Sequence, residues 1–303
     1  MEYPRTQTDF EKMFSSEKDC LDYLFKIKFP EGFKCASCGN TKKWINSRNV
    51  IVCSYCRTET TVISGTIFHK SRMPLTILFR AMWWIIAQKN GVSATGLQHI
   101  LGIGSYETAW TWLHKFRRIM VFSDREKLSG MIEVDETLLG GKKRGKRGRG
   151  AEGKVLVAIA LEVKKYGTGR VRLSLISDAS RKSLNPFIKE QIDKNSIITT
   201  DGWSGYVDIK KMGYAHEISN DTILSDGEEI LPNVHRIAAL LKRWLLGTHQ
   251  SYMTKNHLQY YLDEFVFRHN RRKSKSRGLL FYALIKQAVT NKPIEYNEIV
   301  KPL

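Results

Sequence analysis

Hydrophobic positions change their period along the chain, and those changes divide it. Within residues 1–30, Phe10, Met13 and Phe14, then Cys20, Leu21, Leu24 and Phe25, recur at the three- and four-residue spacing of helical faces, ending at Pro30-Glu31-Gly32. Between 31 and 70 the apolar runs shorten to β-rich stretches at 42–45, 50–52 and 59–63. Residues 71–120 turn helical and aromatic: a long amphipathic helix over 74–88, a shorter one over 93–101, the turn Gly102-Ile103-Gly104, and a third helix over 105–120 with Ser105 placed to cap it. From about 130 strands alternate with helices. Residues 131–139 predict a strand closed by Gly140-Gly141, and 155–163 with 171–176 predict a hairpin. A helix follows over 183–192, then a strand over 196–200 that runs into Asp201-Gly202. Two further helices are expected over 234–246 and 254–267, with Gly247 between them. The order β-β-β-α-β followed by helices predicts a mixed α/β fold, with a mixed sheet covered by helices.

The pattern marks out five spans: an N-terminal helical segment (1–30), a cysteine-bearing segment (31–70), a helical segment (71–125), an α/β domain (126–290) and a tail (291–303). A chain of 303 residues is long enough for two or three domains. Its 42% hydrophobic and 26% charged residues are ordinary for a globular protein. The charge balance is not ordinary. Lys and Arg number 49 against 30 Asp and Glu, a net of +19, which creates a field that attracts polyanions. The longest apolar stretch, 81–87, falls far short of the ~20 residues that span a bilayer. Residues 1–9 lack the apolar region of a secretion signal, so a reducing, cytoplasmic setting is expected.

Four of the five cysteines form two C-x-x-C knuckles, Cys35/Cys38 and Cys53/Cys56, with fourteen residues between them. Two knuckles complete a tetrahedral thiolate site for one structural zinc, with no position left open for a substrate. A segment this short needs such a metal to fold, and Gly39 suits the tight turn after the first pair. The leftover Cys20 is expected to be a buried thiol.

A short helix, a glycine turn and a longer helix over 93–120 form the helix-turn-helix pattern. Tyr106, Glu107, Thr108, Thr111 and Trp112 would face a DNA groove, and His114, Lys115, Arg117 and Arg118 would meet phosphates. A plain helical hairpin, with Trp83, Trp84, Trp110 and Trp112 as core, is the alternative. Basic side chains cluster twice more. Lys142, Lys143, Arg144, Lys146, Arg147 and Arg149 share a glycine-rich loop, and Arg268, Arg271 and Arg272 open a second group; both are expected to bind DNA backbone.

Two carboxylates stand out. Asp135 lies within a predicted strand, and Asp201 ends another. A carboxylate inside a sheet is costly unless it is paired or holds a metal. Two on neighbouring strands would repel each other and favour a divalent cation, and Mg²⁺ on few carboxylates is the usual arrangement for phosphoryl transfer. The two-residue strand period puts Glu133 on the face of Asp135 and Glu136 on the opposite one.

Several stretches then carry a specific resemblance: Val134-Asp135-Glu136-Thr137 with Gly140-Gly141-Lys142; Thr200-Asp201-Gly202-Trp203-Ser204-Gly205-Tyr206; His235 with 241–249; and 261–272. Together they resemble the ISXO-like group of DDE-type insertion-sequence transposases, in which a zinc ribbon precedes a ribonuclease-H-like core. The resemblance runs from about Cys20 to the end. It implies binding of terminal inverted repeats, Mg²⁺-dependent cleavage at the element ends, and joining of the freed 3′-hydroxyl to target DNA by a homo-oligomer on paired ends. It also implies a third acidic ligand with a basic residue seven positions later. Lys242 fits the basic position, but the residue seven before it is His235, thirty-four after Asp201. His235 would serve as a neutral ligand or orient a water. Asn233 is a second candidate, and Glu228 and Glu229 lie just before. A helix-capping His235 and a copy that no longer cuts are the other readings. Two functions compete with the transposase: a DNA-binding regulator without catalysis, and a nuclease on the same fold that cuts without joining.

Overall fold

The computed structural model describes residues 2–122, 125–140, 154–219, 231–250 and 254–301. It divides into two compact units: Met1–Phe122 with Ser274–Leu303, and Ser123–Lys273.

The first unit opens with α1 (Gln7–Met13) and α2 (Glu17–Lys28). Each is started by a reciprocal capping box, Thr6 with Asp9 and Ser16 with Asp19. Three short antiparallel strands follow, β1 (Lys43–Ile45), β2 (Ile51–Cys53) and β3 (Glu59–Thr60). Then come α3 (Leu75–Ala87), α4 (Ala94–Leu101) and α5 (Tyr106–Ile119). Ser93 and Ser105 cap α4 and α5, and Gly102 ends α4 in the left-handed conformation that its missing Cβ permits.

The second unit holds a five-stranded sheet of β4 (Met131–Leu139), β5 (Val155–Val163), β6 (Thr168–Ile176), β7 (Ile197–Thr200) and β8 (Ala215–Ile218), in the order β6-β5-β4-β7-β8. The β4-β5 and β5-β6 pairs are antiparallel, and the β4-β7 and β7-β8 pairs are parallel. The sheet is therefore mixed, as expected. Helix α6 (Arg181–Gln191) lies between β6 and β7 in the chain, and α7 (Pro232–His249) and α8 (Leu258–Asn270) follow β8. Val157, Ile159 and Leu161 of β5 pack with residues of α7 and α8, while Ala158 and Ala160 pack with Leu184, Ile188 and Tyr206. Burial on both faces explains the continuous apolar run of β5. At the edge of the sheet, Gln259 and Asn270 of α8 accept hydrogen bonds from the amides of Leu175 and Val171 at 3.0 and 2.8 Å, which blunts an otherwise open strand. Helix α7 runs through Gly247, the expected stop, and ends at Gln250, which takes φ +50°.

The chain then returns to the first unit with α9 (Arg277–Thr290) and α10 (Tyr296–Val300). This moves the boundary expected at residue 290. Phe281, Leu284, Ile285 and Ala288 are fully buried, and Phe281 sits among the rings of Phe10, Phe14, Phe79 and Trp83. A Cβ on Gly278 would lie 1.5 Å from the Pro4 carbonyl oxygen, so glycine is required for that approach. Among the described residues no helix is long and apolar enough to cross a membrane.

Candidate functional site

The four knuckle cysteines converge. Cys35 and Cys56 bring their Sγ atoms to 3.6 Å, Cys38 and Cys53 to 3.5 Å, and all four lie within 4.8 Å of one another. Those separations suit the ~3.8 Å edge of a sulfur tetrahedron built on Zn–S bonds of ~2.3 Å. The two knuckles share one backbone device. The Gly39 amide donates to the Cys35 carbonyl at 2.9 Å and the Arg57 amide to that of Cys53 at 3.1 Å, with both donors at positive φ. The cluster fits a structural zinc ribbon. Cys20 is fully buried, as expected, and burial pushes its thiol up to about 12.

The carboxylates are positioned by strand pairing. Parallel register sets Glu133 of β4 against Thr199 of β7, so two residues further along each chain Asp135 comes level with Asp201. Asp201 leaves the strand through Gly202, whose φ is +77° and whose added Cβ would meet the Ile218 side chain at 2.8 Å. Asp201 accepts a hydrogen bond from the Trp203 amide at 3.0 Å. Burial raises the pKa of Asp135 above the ordinary carboxylate range; the charges of Glu136 and Asp201 add to this, and the Glu136 backbone hydrogen bond and His235 oppose it. His235, near the start of α7, brings Nε2 to 3.3 Å from Asp135 Oδ2. Glu136 faces the other side of the sheet and accepts from the Tyr206 hydroxyl at 2.6 Å.

Two oxygen donors whose negative charges oppose each other suit a hard divalent cation, with positions left for water and phosphate. Among the described residues, ligand atoms of three or more His, Cys, Asp or Glu converge at the cysteines. Asp135, Asp201 and His235 do not converge in that way: His235 meets Asp135, and strand register brings Asp135 level with Asp201. Lys242, two turns along α7 from His235, lines a cavity of about 470 Å³ with Lys154, Lys255 and an apolar wall that includes Leu139 and Leu258. Asn233, the other candidate ligand, instead donates to Glu133 at 2.7 Å. Glu228 and Glu229 lie outside the described residues, as do Lys142, Lys143, Arg144, Lys146, Arg147 and Arg149.

Several expected DNA contacts are committed elsewhere. On α5, Trp112 is buried against Phe68 and Phe116, and His114 and Arg117 are buried too, because they lie on the side of the helix that faces the core. The outer stripe of α5 carries Glu107, Thr111, Lys115 and Arg118. There the Tyr296 hydroxyl of α10 donates to Glu107, and Arg118 pairs with Glu298 at 3.2 Å. On α8, Arg268 is bound at 2.7 Å to Glu264, which is 2% exposed. Arg271 lies over the Phe267 ring at 4.3 Å, and Arg272 donates to backbone carbonyls of Thr168, Gly169 and His269. Arg268 and Arg271 brace α8 on itself, and Arg272 ties its end to the start of β6. The first two contacts join residues four apart on one helix, a spacing visible in the sequence, whereas the Arg272 contacts with Thr168 and Gly169 are set by packing.

Residues 127–270 match the ISXO2-like transposase domain, and residues 15–59 match the transposase zinc-ribbon domain. No curated protein matches the chain.

Proposed function

For a chain that carries a transposase zinc ribbon followed by an ISXO2-like transposase domain, we propose the role of insertion-sequence transposase, binding terminal inverted repeats and cutting and joining DNA with Mg²⁺ at Asp135 and Asp201. The observation that supports this most is the parallel β4-β7 register, which levels the two carboxylates, with His235 beside the first. Both carboxylates hold the cation, and His235 supplies a neutral donor or orients a water. Bound there, Mg²⁺ supplies charge neutralisation at the scissile phosphate and readies water or a 3′-hydroxyl for attack. The protein's own share is positioning and electrostatics. Lys242, in its lysine-rimmed cavity, holds a phosphate of the DNA end, and Lys115 and Arg118 on the outer stripe of α5 and the basic 142–149 segment add sequence-independent affinity. The active form is a homo-oligomer on paired ends.

Purified protein incubated with labelled element ends, a target plasmid and Mg²⁺ tests the proposal. Cleavage and joining are expected, both lost in Asp135→Asn and Asp201→Asn while end-binding persists. Cutting without joining points to a nuclease, and binding with neither points to a regulator. Cleavage retained by both variants refutes the metal assignment.

A further inference from the structure

We propose that Glu133 is a positioning residue: it fixes the start of α7 and thereby holds His235 against Asp135. The proposal rests on the reading of Asp135 and His235 as members of the reactive site.

Helix α7 begins without a cap of its own. Leu231, at the cap position with φ +50°, has no side-chain oxygen, and Pro232 has no N–H. The first amides of the helix must find acceptors elsewhere. Glu133 provides one: its Oε2 accepts from the Val234 amide at 2.7 Å, while Oε1 accepts from Asn233 Nδ2 at 2.7 Å. Glu133 is only 7% exposed. Such a buried carboxylate is tolerable because it meets two donors and the positive end of a helix dipole. The next residue in the helix is His235, and two residues along β4 on the same face is Asp135. One strand and one helix start are thus joined twice, by Glu133 to Asn233 and Val234, and by Asp135 to His235. This arrangement assigns Asn233 to the clamp rather than to the metal.

The first unit contains a natural control. Helix α3 starts at Pro74, also without a side-chain cap, and Glu17 of α2 accepts from the Leu75 and Thr76 amides at 2.9 and 3.3 Å. The capping chemistry is the same, but neither proposed site residue lies beside it.

The test uses the full chain and four variants: Glu133→Ala, Glu133→Gln, Asp135→Asn and Glu17→Ala. In Glu133→Gln the new side-chain carbonyl still accepts from the Val234 amide, and a flipped Asn233 can accept from the new NH₂ group, so both hydrogen bonds survive. Mg²⁺-dependent end cleavage should fall about 10–100-fold in kcat for Glu133→Ala, with KM for the DNA end little changed, and should recover in Glu133→Gln. NMR signals of the His235 ring give a readout that needs no activity. In the parent chain they should shift on Asp135→Asn. In the Glu133→Ala background that response should vanish, and in Glu133→Gln it should return, whereas Glu17→Ala should leave it intact. A Glu133→Gln variant as inactive as Glu133→Ala would make Glu133 a metal ligand and overturn the proposal. A His235 ring that still responds to Asp135→Asn in the Glu133→Ala background would also overturn it. If the parent protein cuts no DNA, the transposase reading fails, and the ring signals still decide the clamp.

Discussion

Replacing Phe281 by Ala tests whether α9 is part of the first unit's core. The ring is fully buried, with centroids of Phe10, Phe14, Phe79 and Trp83 at 5.4, 5.5, 5.7 and 5.8 Å. Deleting a buried phenyl group costs about 3–5 kcal/mol through lost transfer energy and the cavity left behind. Four aromatic neighbours at this spacing place the cost toward the upper end. For a unit of this size each kcal/mol lowers Tm by about 2–4 °C, so the first unit should melt about 6–20 °C lower. Calorimetry measures the shift, and amide hydrogen exchange locates it. Protection should fall in α1, α3 and α9 and persist in β4 and β5. A loss below about 1 kcal/mol, far under the cost of such a deletion, would refute the packing argument, and so would equal deprotection of β4 and β5.

Arg268→Ala should destabilise the second unit by about 3–5 kcal/mol, because it removes a cation paired with the buried Glu264 carboxylate, and should leave DNA affinity nearly unchanged. Urea unfolding and a binding titration separate the two effects. Asp263 offers a pH test. Burial, partly offset by Gln259, raises its pKa to about 6, so the stability it contributes is present at low pH and is lost as pH rises through about 6. Asp263→Asn should remove that loss, seen as a smaller fall in unfolding free energy between pH 4 and pH 6 than in the parent chain. Chelation or Cys38→Ser should release one zinc per chain, measured by atomic absorption, with lost exchange protection in β1 to β3. Glu295→Gln with Glu298→Gln should tighten DNA binding at low salt, since the acidic side chains of α10 act on Lys115, and Glu298 pairs with Arg118. Unchanged affinity would separate the α5 stripe from DNA.

What could be read in advance followed from local rules. The knuckle spacing Cys35/Cys38 and Cys53/Cys56 is itself the chemistry of the ribbon, because a C-x-x-C turn aims two thiolates at one point. β5 was recognisable because a nearly unbroken nine-residue apolar run rich in β-branched residues leaves little choice of conformation, and β4 because Ile132, Val134, Thr137 and Leu138 precede a Gly-Gly stop. The two-residue period also placed Glu133 and Glu136 on opposite faces before any partner was known. By contrast, β8 is four residues long and half polar, and it exists only because β7 offers it a hydrogen-bonding edge.

Asp135, Asp201 and His235 were named from sequence, yet nothing in a linear chain says that β4 and β7 are parallel neighbours in the register that levels the carboxylates. Tertiary pairing decided that. It also decided which cations face inward. Arg117, Arg268 and Arg271 look like their exposed neighbours in sequence, but Arg117 is buried and the other two are half-buried, one against Glu264 and one over Phe267. The return of α9 to the first unit was decided the same way, by an aromatic pocket assembled from Phe10, Phe14, Phe79 and Trp83, far earlier in the chain. Sequence by itself determined the chemistry available, in the four thiolates, the two strand-borne carboxylates and a net charge of +19. Only the tertiary structure could decide which of those groups meet, because the energy of a buried charge depends on the partners that packing brings to it.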